Sequence, residues 1–158
     1  MRGIVRISPA FLLLACTLRA QSPPPWFGTW KLNVEESKFR PGPPPRSTVT
    51  TIEPWEDGMK YTVDAVTSDG EERHIEWRAR FDGKDNPVTG NPYVDTNAVK
   101  RISRRSFRIV AKKDGKVTMI TTTVISADGS KRIATAVEKN EQLTQGDTIK
   151  NVAVFDRQ

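Results

Sequence analysis

The sequence predicts an all-β domain, an antiparallel up-and-down meander closed into a barrel of eight to ten strands. Three observations carry that expectation. Polar and apolar residues alternate with a period of two, as in His74-Ile75-Glu76-Trp77-Arg78-Ala79-Arg80-Phe81. Asp-Gly occurs at 57–58, 69–70, 82–83, 114–115 and 128–129, and four of these pairs stand between strand-like runs, where tight hairpin turns favour them. No stretch keeps the 3.6-residue apolar spacing of a substantial helix.

The 158 residues suit one domain. Residues 1–20 read as a secretory leader: Arg2 and Arg6, an apolar run through Phe11-Leu12-Leu13-Leu14-Ala15, and a small-residue exit at Ala20. That run is shorter than the roughly 20 residues a bilayer-spanning helix needs. Leu13-Leu14-Ala15-Cys16 also resembles a bacterial lipobox, so Cys16 is a candidate lipidation site. Cleavage after Ala20 is the competing reading, and both export the chain to the periplasm or beyond the cell. Residues 21–27 form a tether, extended by Pro23-Pro24-Pro25.

From residue 28 to 158 the pattern is that of strands, expected near 28–33, 47–55, 59–67, 71–81, 94–102, 106–113, 116–127, 131–141 and 148–156. Val117–Ile125 is almost wholly β-branched or apolar, which favours a pleated backbone. The turn at 103–105 is inferred from spacing. Hairpin-linked neighbours leave two open edges unless the sheet closes, so a barrel is preferred to a two-sheet sandwich. The longest irregular stretch, 82–93, is expected to be a structured loop crossing the barrel mouth.

Trp26-Phe27-Gly28-Thr29-Trp30-Lys31-Leu32-Asn33 resembles the opening strand of the calycin superfamily, which holds the lipocalins and fatty-acid-binding proteins. The shared mark is Gly-x-Trp, here Gly28-Thr29-Trp30. The resemblance implies that Trp30 plugs one barrel end and packs on a basic side chain near the last strand, for which Arg157 is the candidate. It also implies a small apolar or amphipathic ligand inside the barrel. Fatty-acid-binding proteins capture a carboxylate with Arg-x-Tyr in their last strand; the matching Ala153-Val154-Phe155 lacks both polar groups. Their helical lid is missing too, since the connection 34–46 carries Pro41-Gly42-Pro43-Pro44-Pro45. The DGKD-x-PVTG stretch at 82–90 resembles one in exported bacterial lipocalin-like proteins, which implies a fold but no activity.

The chemistry-bearing residues are sparse. One Cys and one His exclude an intrachain disulfide, a multi-Cys zinc site and a His-cluster metal site. No Gly-x-Ser-x-Gly or comparable constellation accompanies His74, so neither catalysis nor a cofactor is expected. Asp82, Asp85 and Asn86 match no calcium-loop spacing. Trp77, Phe107 and Met119 fall on apolar faces and are the candidate ligand-lining residues, with a filled core as the alternative.

Removing the leader's three arginines takes the net charge from +6 to +3, which weakens a nucleic-acid reading. Residues 100–116 alone carry eight bases against Asp114. Such asymmetry suits an anionic envelope surface or simply a solvated face. The expected function is binding of a small apolar or amphipathic molecule by a monomeric barrel. The alternative is an envelope interaction module with a filled barrel and a basic contact surface.

Overall fold

The computed structural model describes residues 22–40, 42–138 and 150–158. They form ten antiparallel strands: β1 (Gly28–Lys38), β2 (Ser47–Trp55), β3 (Gly58–Val66), β4 (Glu72–Arg80), β5 (Asp82–Thr89), β6 (Thr96–Ser103), β7 (Ser106–Lys113), β8 (Lys116–Ile125), β9 (Lys131–Glu138) and β10 (Lys150–Arg157). Each pairs with its neighbour in sequence, and β1 pairs with β10 to close an up-and-down barrel. Closure leaves no free edge, the hazard that a meander otherwise carries. The leader at 1–20 and the candidate Cys16 lie outside the described residues.

Nine strands were expected and ten are present, because 82–89 is a strand rather than a loop over the mouth. Asp, Asn, Gly and Pro are depleted in strands, and Asp82-Gly83-Lys84-Asp85-Asn86-Pro87 holds all four. The strand survives because it is weakly paired. With β4 it shares only the positions Glu76↔Thr89 and Trp77↔Val88, and its register with β6 shifts between Asp82 and Asp85. Such an irregularity is where Gly and Pro are tolerated. The loop proper is short, running from Gly90 to Asp95.

The glycines of two Asp-Gly pairs lie in strands rather than at turn positions. Gly83 sits inside β5. The β2–β3 turn is Glu56-Asp57, with Glu56 at φ 49°, and Gly58 already belongs to β3. A Cβ on Gly58 would lie 1.9 Å from the Ala79 carbonyl oxygen, so close strand approach requires this glycine. Asp114-Gly115 does form a turn with positive φ at both residues, 50° and 75°.

The strand ends divide the barrel into a base and a mouth. The base carries the starts of β1, β3, β5, β7 and β9, and its interior is filled. Trp26, Trp30, Ile52, Met59, Ala79, Val99, Phe107 and Ile125 are buried there in one cluster. The Trp26 ring meets Phe27, Phe81 and Phe107 edge-on, with centroids 6.2, 5.7 and 5.5 Å away.

Candidate functional site

Directly paired residues of antiparallel strands share a face of the sheet, so the register assigns each side chain to lumen or exterior. On β9, Arg132 pairs with Phe155 of β10 and with Ile125 of β8, both buried. Arg132 therefore points into the barrel, above the filled base. It is only 1% exposed.

Its guanidinium is held by neutral groups. Nη1 donates to the Tyr61 hydroxyl at 2.9 Å and Nη2 donates to Thr50 Oγ1 at 3.0 Å. The Phe155 ring lies beneath it, 3.7 Å from the guanidinium carbon to the centroid. No carboxylate pairs with it among the described residues, and its Nε has no partner. Thr123 Oγ1, one residue pair away on β8, is also buried without a partner. Burial pulls this guanidinium below its ordinary pKa, with the Tyr61 hydroxyl acting the other way. Arginine nevertheless remains charged in proteins, so a cation with no counter-ion among the described residues stands inside the lumen.

Trp77 flanks this group. It pairs with Tyr61 across β3–β4, and the two rings stack at 4.7 Å and 13°. In the amide orientation that satisfies both groups, Asn97 accepts from Trp77 Nε1 at 3.2 Å.

Above Arg132 the lumen is lined by small side chains. Ala134 pairs with Ala153 and Thr123, and Ala136 pairs with Asn151 and Thr121. Ala134, Ala136, Ala153 and Thr121 are half-buried, as are Val63 and Ile75 across the lumen. A cavity of about 430 Å³ opens at the mouth, lined by Ile75, Met119, Glu138 and Arg73 together with Asn91, Tyr93 and Val94 of the β5–β6 connection. Arg73 stacks on the Tyr93 ring at 5.4 Å and pairs with Glu71 at 2.9 Å, leaving its buried Nε without a partner. The bond to Glu71 holds the Arg73 pKa above its ordinary value, with burial opposing.

The three residues expected to line a ligand lie at three heights. Met119 is at the mouth cavity, Trp77 is at the level of Arg132, and Phe107 belongs to the base packing with Trp26. Of the base residues, Trp30 is fully buried, and Arg157 pairs with it across β1–β10 with its guanidinium 4.2 Å from the ring centroid. Gly28 lies against Arg157, where a Cβ would come within 2.7 Å of Nη1.

Arg132 escaped the sequence reading. In Lys131-Arg132-Ile133-Ala134-Thr135-Ala136-Val137 the bulky apolar residues are Ile133 and Val137, which suggests the opposite face as the interior. A strongly charged position alternating with two alanines was the available signal. His74 lies outside the lumen, exposed, with Nδ1 2.6 Å from Asp64 Oδ1. No cluster of metal-ligating side chains occurs among the described residues.

No protein-family model and no curated protein matches the chain. Among solved structures it is similar to zebrafish ileal bile acid-binding protein complexed with cholic acid. The TM-score is 0.51 at 14% identity, covering 84% of this chain and 98% of that one. At that identity the likeness is one of fold.

Proposed function

We propose that this protein binds a small amphipathic molecule with an acidic head group, tail toward the mouth and head on Arg132. The observation that carries the reading is a fully buried guanidinium with no acid beside it among the described residues, beneath a lumen lined by alanine and threonine. A charge removed from water without a counter-ion is costly. An incoming carboxylate or sulfonate supplies the missing charge and an acceptor for the orphaned Nε, through charge-assisted hydrogen bonds. Trp77 and Tyr61 offer an aromatic wall to the apolar body.

The resemblance to fatty-acid-binding proteins bears on this. Ala153 and Phe155 stand where that family carries its Arg-x-Tyr, and here the cation comes from the next strand, over the Phe155 ring. The similar zebrafish structure holds cholic acid, which is itself an amphipathic acid. Membership of the calycin superfamily, and a monomeric, non-enzymatic role, are parts of the same proposal. So is export, on the leader at 1–20, with Cys16 as an alternative lipid anchor. A filled barrel serving as an envelope module draws support from the base packing, whereas the half-buried alanines above Arg132 favour a ligand.

Fluorescence titration tests the reading, because Trp77 adjoins the head-group position. A long-chain carboxylate should change the emission at concentrations where the matching alcohol does not, and Arg132→Met should abolish the difference. Equal responses to acid and alcohol in the parent protein overturn the acidic-head assignment.

A further inference from the structure

The eight bases of 100–116 do not form one patch. Lys112 and Lys113, toward the mouth, are paired with Asp85 at 2.8 Å and Asp95 at 2.7 Å. At the base, Lys100, Arg101, Arg104, Arg105 and Arg108 are all exposed, and among the described residues none makes an ion pair. They surround the two-residue turn of the β6–β7 hairpin, where Ser103 faces Ser106 in register.

Four carboxylates at this end are engaged elsewhere. Glu56 and Asp57 bind Arg80. Asp82, opposite Lys100 in register, accepts from the Lys84 amide at 3.0 Å. Asp128 is held by Ser126 and Ser130.

We propose that the barrel base is a docking surface for an anionic lipid bilayer, centred on the β6–β7 hairpin. Two observations select a bilayer over a soluble polyanion. Ile102, at the register shift between Arg101 and Ser103, is 51% exposed among the cations, and Val124, which pairs with Ser106 on the adjoining strand, is 44% exposed. An apolar side chain ringed by basic ones suits the boundary between head groups and acyl chains. The chain also enters the barrel here: Pro23–Pro25 lead into Trp26, over whose ring Arg101 lies at 5.3 Å. A segment attached to an envelope ahead of residue 22 would bring this end to the membrane. Docked so, the barrel presents its mouth to the aqueous side.

The test is sedimentation of the full chain, carrying Cys16→Ser to remove any lipid anchor, with vesicles of phosphatidylcholine alone or mixed with phosphatidylglycerol. Binding to the mixed vesicles is expected to be about tenfold tighter and to weaken with salt. The triple variant Arg104→Gln/Arg105→Gln/Arg108→Gln should lose that advantage, and Ile102→Ser should lower affinity at unchanged charge. A control at the other end, Lys38→Gln/Arg40→Gln/Lys150→Gln, should retain it, with near-ultraviolet circular dichroism confirming that each variant folds. Equal loss in both triple variants, indifference to phosphatidylglycerol, or binding to single-stranded DNA as tight as to the mixed vesicles overturns the proposal. Arg132 is untouched in these variants, so the outcome is independent of the lumenal ligand.

Discussion

Arg157 closes the base of the barrel over Trp30. Its guanidinium lies on the indole, 4.2 Å from the centroid, while Nε donates to the Gly129 carbonyl at 2.8 Å and Nη1 to the Phe27 carbonyl at 3.0 Å. Nη2 donates to the Pro25 carbonyl. One side chain thus joins the last strand, residues 25–27 ahead of β1 and the β8–β9 turn; with Trp26 fully buried in the core, that segment is packed rather than the free tether expected. Arg157→Gln should destabilise the fold by about 1–3 kcal/mol, from lost stacking and three unmatched carbonyls. Arg157→Lys should recover little, because an ammonium cannot stack and fork at once. Urea unfolding midpoints measure both; a parent-like midpoint for Arg157→Gln refutes the closing role.

Arg132→Met should separate stability from binding. Removing the charge relieves its desolvation, while the buried Tyr61 hydroxyl and Thr50 Oγ1 lose a donor at about 1–3 kcal/mol each, so a small net change in stability is expected. The same change should remove acid binding. Calorimetric titration beside a urea curve checks both, and a marked loss of stability would mean that the guanidinium is structural.

Ala136→Phe probes the lumen directly. Overpacking a filled core costs about 1–3 kcal/mol, whereas an open lumen takes the ring at little cost. Ala136 is half-buried and pairs with Thr121 and Asn151, all toward the mouth. The expected outcome is a parent-like melting temperature with weaker ligand affinity. A melting temperature lowered by several degrees would show a filled interior.

Gly90 and Gly115 make a matched pair, at φ 78° and 75°. A Cβ on Gly90 would sit 1.8 Å from the His74 carbonyl oxygen, while one on Gly115 meets nothing within 4 Å. Gly115→Ala should cost about 1–2 kcal/mol, from backbone conformation alone. Gly90→Ala should cost clearly more, because β4 must move. Equal thermal shifts would contradict the close approach.

The Asp128 carboxyl is held down to about 2 by the Ser126 hydroxyl and by the amide and hydroxyl of Ser130. A lowered carboxylate pKa contributes stability above the ordinary carboxylate range and loses it as the pH falls through the folded value. The turn should therefore keep these bonds at about pH 3 and give them up near pH 2. An NMR titration of the Asp128 side chain reads the midpoint, and a value near 4 would contradict the geometry.

Much of the barrel was legible because alternation and turn chemistry are local. The β3–β4 and β7–β8 hairpins follow from runs such as His74–Phe81 and the Asp114-Gly115 turn. β5 was not legible, since its composition belongs to loops and its place depends on β4 and β6 pairing at either side. The ends of β1 were similarly extended by partners: it continues to Lys38, past a register shift after Asn33, along β10.

The lumen is the harder case. On β9 the hydrophobic pattern favours Ile133 and Val137 as interior, yet pairing with Phe155 turns Arg132, Ala134 and Ala136 inward. A one-residue change of register exchanges the faces of a strand, and nothing within β9 sets that register.

By itself, the order of residues determined an all-β chain of hairpin-linked strands, because side-chain period and turn conformation are decided within a few residues. It also set the number of charges available at 100–116. Tertiary structure alone decided which charges meet a partner, which face of β9 looks inward, and that the Arg132 guanidinium stands in the barrel with no carboxylate paired to it among the described residues. Those outcomes depend on residues from opposite ends of the chain, Thr50, Tyr61, Arg132 and Phe155, that only ring closure brings together.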